Sequence, residues 1–218
     1  LEQLMPTAYA SLLDVIELVE RHYRDSQDME FCVEDGTLWM AKFPSREDQR
    51  DVGAWEHVAT TLAAKAGIAV PETRLLRLGQ THRTFAARRF DRVNADRRLY
   101  ASAMTLAGRR DGEDASYLDI AQAITQSGDA AAIDHDLEQL FRRVVFNVLI
   151  GNRDDHLRNH GFLRTRRGWR LAPAFDLNPA SEKVEHGLAL DERTRVPDIA
   201  VVHETGSLYR LSAPRASR

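Results

Sequence analysis

The sequence has 218 residues, of which 43% are hydrophobic and 29% are charged, and its formal net charge is −3. This composition predicts a globular protein, and the charge argues against strong DNA binding by the chain alone. The single cysteine, Cys32, excludes an internal disulfide, and no apolar run reaches the roughly 18 residues of a membrane span. With no signal peptide in view, we expect a cytoplasmic protein without a membrane partner.

The first part of the chain predicts a helix followed by antiparallel strands. Apolar residues at near-helical spacing predict the helix over residues 8–23. Strands over 29–33 and 37–43 flank Asp35-Gly36, a pair that favours a tight hairpin. Strands over 72–78 and 84–90 are predicted to join around Gly79.

Lys42 lies in the second predicted strand and shares one face with Leu38 and Met40. An ammonium group on an apolar face needs an anionic partner, although a lysine at a sheet edge can instead reach water. The helix that follows ends at Gly67, and Glu56 lies at the border of its apolar face. That face consists of Val52, Trp55, Ala59, Leu62, Ala63 and Ala66.

From Ala101 to Ile150 the apolar spacing predicts helices, interrupted by a charged loop over 109–114. A group of polar residues follows the break at Gly151, and a hairpin over 161–171, with its turn at Arg167-Gly168, leads to Asp176. Kinases use a D-x-x-x-x-N segment to orient a hydroxyl and hold Mg²⁺, and a later acidic residue binds the metal again. The chain has this pattern at Asp154, Asn159 and Asp176.

Two other interpretations of the polar group are open at this point. His156 and His160 are four residues apart, like metal ligands on one helix face, and Asp154 with Asp155 would complete a hydrolase metal site. The absence of the glutamate of an HExxH motif weakens that interpretation. Alternatively, the carboxylates cap helices and the histidines bind backbone carbonyls.

Several segments resemble the HipA-like serine/threonine kinases, the toxins of bacterial toxin–antitoxin pairs. These are NRDDHLRNHGFL (152–163), GWRLAPAFDLNP (168–179), AKFPS (41–45), FDR (90–92), SAMTLAG (102–108) and GEDASYLDIAQAI (112–124). The resemblance covers most of residues 29–212. It implies an α+β, protein-kinase-like fold with two lobes: a small antiparallel-sheet N-lobe over 1–92 and a helical C-lobe over 93–218.

The resemblance also implies transfer of the ATP γ-phosphate to a protein serine or threonine, with Mg²⁺ as the second cofactor. The catalytic residues it implies are Asp154, which orients the hydroxyl, and Lys42, with Asp155 and His156 in the same catalytic loop. The cofactor-binding residues it implies are Lys42, Glu56, Arg88, Arg89, Phe90 and His156, and the metal ligands are Asn159 and Asp176. Implied partners are a protein substrate, such as an aminoacyl-tRNA synthetase or another translation protein, and a small DNA-binding antitoxin through which the chain meets DNA.

The chain departs from the family pattern in two places. Phe175-Asp176-Leu177 stands where most kinases have DFG, and the glycine-rich loop that covers the phosphates is absent, because the first glycine is Gly36. Family members are also longer at both ends, so we expect a longer natural protein and a missing loop between about Ser26 and Glu30. The alternatives are a catalytically inactive kinase-like binding module and a metal-dependent phosphohydrolase.

Overall fold

The computed structural model describes residues 28–32, 37–45, 47–78, 81–93, 96–180 and 182–212. The first part forms a four-stranded antiparallel sheet in the order β1-β2-β4-β3, with one helix between β2 and β3. The bounds are β1 Asp28–Cys32, β2 Leu38–Lys42, α1 Val52–Lys65, β3 Thr73–Leu76 and β4 Thr84–Arg88. Alternation along β2 buries Trp39 and Ala41 on one face and places Met40 and Lys42 on the other.

Helix α1 begins and ends at residues suited to its termini. The Asp51 carboxylate accepts the backbone N–H of Ala54 at 3.1 Å, and Gly67 takes a φ of +75° just beyond the last turn. The predicted apolar face is wrong at Trp55 and Leu62, which are 51% and 47% exposed, and at Ala66, which is also exposed. The buried face of α1 instead carries Glu56, Ala59, Thr60 and Ala63.

The second part is mainly helical. Its bounds are β5 Arg92–Val93, β6 Asp96–Arg97, β7 Tyr100–Ser102, α2 Ala103–Leu106, α3 Tyr117–Ser127, α4 Ile133–Ile150, β8 Gly161–Arg164, β9 Trp169–Leu171 and α5 Ile199–Glu204, with short 3₁₀ helices at Leu157–Asn159 and Thr205–Tyr209. A capping box at Ser116 and Asp119 begins α3, and Gly151 with a φ of +70° ends α4. Strands β7, β8 and β9 form a three-stranded antiparallel sheet.

Two apolar clusters hold these elements together. The larger one lies in the helical part and includes the fully buried Tyr117, Leu140 and Phe162. The smaller one joins α1 to the helical part, since Ala59 and Ala63 of α1 pack with Phe146 of α4. Small side chains on α1 permit this close approach, which fixes where Glu56 lies.

The α+β, kinase-like fold predicted from the sequence is confirmed, with its hairpin over 161–171. The helical prediction starting at Ala101 is wrong at its first residues, because Ala101 pairs with Phe162 in the sheet of β7 and β8. The division into lobes at residue 92 stays a prediction. The predicted helix over 8–23, and residues 26 and 27 at the start of the predicted missing loop, lie outside the described residues. None of the helices in the described ranges is long and apolar enough to cross a membrane.

Candidate active site

A cleft of about 410 Å³ opens between the sheet, α1 and the loops that carry Asn159 and Asp176. Two of the predicted residues, Asp154 and Asp155, are not among those that line it. The other predicted site residues do line it: Lys42, Glu56, Arg88, Arg89, Phe90, His156, Asn159 and Asp176. The fold therefore brings eight of the ten predicted residues to one cleft from segments that are far apart in the sequence.

Lys42 is the centre of the polar contacts in this cleft. Its Nζ lies 3.0 Å from Oε1 of Glu56 and also contacts a carboxylate oxygen of Asp176. Asn178 Nδ2 donates to the other oxygen of Glu56, Oε2, at 3.0 Å. We call Lys42, Glu56, Asp176 and Asn178 the cleft cluster.

Glu56 is only 1% exposed, so its charge depends on these partners. Burial raises the pKa of Glu56 above its ordinary value; the charge of Lys42 and the hydrogen bond from Asn178 offset this in part, and the nearby Asp176 adds to it. A buried carboxylate with an anionic neighbour is a costly arrangement for folding alone. Such perturbed groups are concentrated at functional sites.

Asp176 has an unusual backbone conformation. Its φ is +59°, in the left-handed region that residues other than glycine rarely adopt. The preceding side chain, Phe175, packs against Phe90 with ring centroids 5.8 Å apart. The packing of Phe175 and the bond to Lys42 hold Asp176 in this conformation, as is found where backbone geometry serves a site.

Residues 88–90, which are predicted to bind the cofactor and which we call the hinge segment, lie beside a group of ion pairs. Arg89 donates to Asp91 from Nε at 2.7 Å, and Arg92 donates to the same carboxylate at 2.6 Å. Burial alone would raise the pKa of Asp91, but the hydrogen bonds and charges of the two arginines outweigh it and lower the pKa. The backbone N–H of Arg88 donates to the Glu72 carbonyl, just before β3, and that of Arg89 to the Leu38 carbonyl of β2. The N–H of Phe90 has no hydrogen bond within the described ranges.

Asp154 lies in the loop after α4, and its side chain faces solvent. Its side chain is 62% exposed and forms an ion pair with Lys183. His156, Arg158 and Asn159, which follow it in the same loop, line the cleft. The loop therefore presents one carboxylate to solvent and its later residues to the cleft.

Asp155 points the opposite way from Asp154, into the core. Its Oδ2 accepts hydrogen bonds from Tyr117 Oη at 2.7 Å, His160 Nε2 at 2.8 Å and Asn147 Nδ2 at 2.9 Å. Burial would raise the pKa of Asp155, but His160 and Tyr117 outweigh it, so the pKa lies below its ordinary value. We call Tyr117, Asn147, Asp155 and His160 the loop cluster, because these hydrogen bonds attach the loop that carries Asp154 and Asp155 to the core.

The four residues of the alternative hydrolase site do not converge. Asp154 faces solvent, His156 lines the cleft, and Asp155 and His160 bind each other in the core. Across the described residues, no three His, Cys, Asp or Glu side chains come close enough to hold a metal ion. The geometry gives this alternative no support.

Several residues of the site were missed from the sequence. Asn178 lies two residues after Asp176 in a segment without helix or strand, and Lys183 lies 29 residues after Asp154. Tyr117 and Asn147 lie 38 and 8 residues before Asp155, on two different helices. Only the tertiary fold brings these residues to the loops.

The elements of the chain follow the order found in protein kinases. A small sheet with a lysine comes first, then a helix with the glutamate that binds this lysine, and then a helical part with two polar loops. The fold and cleft thus define a kinase-like protein. The chain belongs to the family of HipA-like C-terminal domains, which matches residues 13–216.

Solved structures share this fold. HipA of Shewanella oneidensis, solved with HipB and operator DNA, superposes with a TM-score of 0.64 at 18% identity, covering 82% of this chain and 47% of that one. The proinflammatory kinase CtkA of Helicobacter pylori gives a TM-score of 0.61 at 16% identity, covering 87% of this chain and 88% of that one.

Curated relatives are of two kinds. A "Putative kinase" of Haemophilus influenzae is 29% identical over 150 residues, 61% of this chain and 43% of that protein. Pyruvate, phosphate dikinase of Rhizobium meliloti is 39% identical over 72 residues, which are 33% of this chain and 8% of the dikinase. The chain therefore spans less than half the length of both relatives.

Proposed function

We propose that this chain is the catalytic part of an ATP- and Mg²⁺-dependent protein kinase that phosphorylates serine or threonine. The observation that carries the proposal is Lys42, held in the cleft by Glu56 at 3.0 Å and bonded to Asp176. In kinases such a lysine engages the phosphates of ATP, and a helix glutamate holds it in place. Membership of the HipA-like family supports the same activity.

The cleft contains oxygen donors of the kinds that magnesium binds. Asn159 and Asp176 supply an amide and a carboxylate oxygen, and Mg²⁺ is usually bound by one or two such groups together with phosphates and water. The Asp176 side chain is 33% exposed, so its carboxylate is accessible from the cleft. When bound, Mg²⁺ would neutralise the charge of the β- and γ-phosphates.

In the proposed transfer, Asp154 receives the proton of the substrate hydroxyl. The hydroxyl oxygen bonds to the γ-phosphorus, the bond between this phosphorus and the ADP oxygen breaks, and ADP leaves. Asp154 is 62% exposed and lies outside the cleft lining, which supports a substrate that arrives from solvent, such as a protein side chain. His156 and Asp155 shape the loop that carries it.

The nucleotide base is proposed to lie against the hinge segment. Phe90, Tyr100 and Phe175 give this end of the cleft an apolar wall. The Phe90 backbone N–H, which lacks a partner among the described residues, is a suitable donor to a ring nitrogen of adenine. Arg88 and Arg89 directly precede Phe90 and form ion pairs with Glu72 and Asp91.

We extend the proposal to the biological setting. The Shewanella neighbour is solved with HipB and operator DNA, and we propose that this chain likewise is a cytoplasmic toxin restrained by a small DNA-binding antitoxin, meeting DNA only through it. Its substrate is proposed to be a translation protein such as an aminoacyl-tRNA synthetase. The lobes are proposed to divide at residue 92.

The test is transfer of label from γ-labelled ATP to proteins of a cell extract, with and without Mg²⁺, followed by identification of the labelled side chains. We expect Mg²⁺-dependent label on serine or threonine with the parent chain and almost none with Asp154→Ala. Nucleotide binding without transfer would indicate an inactive binding module. Release of inorganic phosphate without labelled protein would indicate a phosphohydrolase.

A further inference from the structure

Asn178 connects the loop of Asp176 to the buried glutamate of α1. Its Nδ2 donates to Oε2 of Glu56 at 3.0 Å, while Lys42 donates to Oε1 at the same distance. The two carboxylate oxygens of Glu56 are thus held from two sides, one by the sheet and one by the helical part. If either donor leaves, one oxygen of Glu56 stays buried away from water without a hydrogen bond, which is costly.

We infer that Asn178 is a positioning residue for nucleoside triphosphate binding, which fixes the Glu56 carboxylate so that Lys42 is aimed at the phosphates. This inference rests on the proposed function of the cleft. Lys42 is shared between Glu56 and Asp176, and Asp176 is the proposed metal ligand. Once Asp176 serves the metal, Glu56 is the carboxylate that holds the flexible lysine side chain, and Asn178 keeps that carboxylate in place.

The backbone around Asn178 is attached to the fold on both sides of this residue. Leu177 is buried in the small apolar cluster that joins α1 to the helical part. Ala180 donates its backbone N–H to the Gly151 carbonyl at 2.8 Å, which attaches the segment to the end of α4. Asn178 is therefore supported on both sides, and its amide reaches Glu56 from a fixed base.

The chemistry of the amide also sets its orientation. Only the NH₂ group can donate to Glu56, since a flipped amide would place its oxygen against the carboxylate. The substitution Asn178→Asp would keep the shape of the side chain but replace the donor by a second acidic oxygen. This variant therefore separates hydrogen bonding from the mere filling of space.

A second amide provides a matched control. Gln139 of α4 donates to the Gly67 carbonyl and accepts from the Ala69 backbone N–H, both at 2.9 Å. It thus also ties the region after α1 to the helical part, but it contacts neither Lys42 nor Glu56. Gln139→Ala removes a comparable connection without affecting the cleft cluster.

The experiment compares ATP dissociation constants, measured by equilibrium titration with Mg²⁺, for the parent chain and for Asn178→Asp, Asn178→Ala, Asn178→Gln and Gln139→Ala, together with their thermal unfolding. We expect Kd to rise roughly 10-fold for Asn178→Ala, which is the effect of losing one hydrogen bond to a charged group. The rise should be larger for Asn178→Asp and smaller for Asn178→Gln, which keeps a donor, and Kd should stay unchanged for Gln139→Ala.

Three results would overturn the inference, and the first two distinguish its failure from failure of the proposed function. If the parent binds ATP and Asn178→Asp and Asn178→Ala bind it equally well, Asn178 does not position the lysine, while the proposed function stands. If the parent itself does not bind ATP, the proposed function is wrong, and the inference, which rests on it, is wrong as well. Should Asn178→Asp fail to fold, Asn178→Ala and Asn178→Gln decide: equal Kd values for these two would also contradict the role of the donor.

Discussion

The cleft cluster and the loop cluster are both built around a buried carboxylate, but the pKa of this carboxylate is shifted in opposite directions in the two clusters. Glu56 is 1% exposed and Asp155 is 3% exposed. The pKa of Glu56 is raised, since burial and Asp176 outweigh the help of Lys42 and Asn178. The pKa of Asp155 is lowered, because His160 and Tyr117 outweigh its burial. The loop cluster thus stabilises the charged form of Asp155. In the cleft cluster, burial and the neighbouring Asp176 disfavour the charged form of Glu56.

This contrast in pKa suggests different roles: the loop cluster supports the fold, and the cleft cluster belongs to the candidate site. A cluster that satisfies its charge stabilises the fold, and the loop cluster fixes the loop on which Asp154 stands. A cluster that holds two carboxylates around one lysine is less favourable for folding and is retained where it has a function. Substitutions in the two regions should therefore change different quantities.

The largest expected effect is on transfer, through Asp154. Asp154→Ala should lower the rate of phosphorylation by roughly 10²- to 10⁴-fold, the range for general acid–base groups. Because the side chain is 62% exposed, the midpoint of unfolding and the affinity for ATP should hardly change. Steady-state kinetics and thermal denaturation of the same preparation measure both quantities. Equal transfer rates for variant and parent would remove Asp154 from the mechanism.

The next largest effect is on stability, through Asp155. Asp155→Ala leaves Tyr117, Asn147 and His160 without their shared acceptor. The free energy of unfolding should fall by about 3 kcal/mol, the upper end of the cost of leaving a buried group without its partner. Urea denaturation measures this loss. A variant as stable as the parent would show that the loop cluster does not support the fold.

The two buried carboxylates should give opposite dependences of stability on pH. The folded-state pKa of Glu56 lies above its ordinary value of 4.5, so the folded state binds this proton more tightly than the unfolded state. Relative to Glu56→Gln, the parent is therefore favoured below the ordinary value, and it loses that advantage as pH rises through the folded pKa.

For Asp155 the sign is reversed. Its folded pKa lies below the ordinary 3.8, so its stabilisation is present above that value and is lost as pH falls through the folded pKa. Relative to Asp155→Asn, the parent should lose stability in acid. Denaturation of the two pairs between about pH 8 and pH 2 distinguishes them. Difference curves with the same slope would contradict the contrast.

The smallest expected effect is at Lys183. It forms an ion pair with Asp154 in which the two side chains are 47% and 62% exposed. Exposed pairs contribute no more than about 1 kcal/mol and are screened by salt. Lys183→Ala should therefore change the free energy of unfolding by less than this, and added salt should reduce the difference further. A larger loss would mean that Lys183 supports the catalytic loop in another way.

Much of the fold was predictable from the sequence, because hairpin turns and helix ends are determined by residues that are neighbours in the chain. Asp35-Gly36 between two apolar runs predicts the first hairpin, and Gly151 marks the end of α4. The buried face of α1 was not predictable in this way. Apolar spacing gives weight to Trp55 and Leu62, whereas close packing on Phe146 selects the small residues Ala59 and Ala63.

The candidate site shows the same limit. The spacing of Asp154, Asn159 and Asp176 indicates the chemistry, but two adjacent carboxylates do not reveal which one faces solvent. That choice depends on Tyr117 and Asn147, which are distant in the sequence. Asn178 was hidden for a similar reason, since its partner Glu56 lies 122 residues earlier.

The central claim is that the cleft around Lys42 binds ATP together with Mg²⁺. Isothermal titration of ATP into the parent chain and into Asp176→Ala, each with and without Mg²⁺, tests it most directly. We predict binding to the parent that Mg²⁺ strengthens, and binding to Asp176→Ala that Mg²⁺ no longer strengthens, because the variant lacks a carboxylate ligand. A parent chain that does not bind ATP, or a variant that responds to Mg²⁺ as the parent does, would contradict the account.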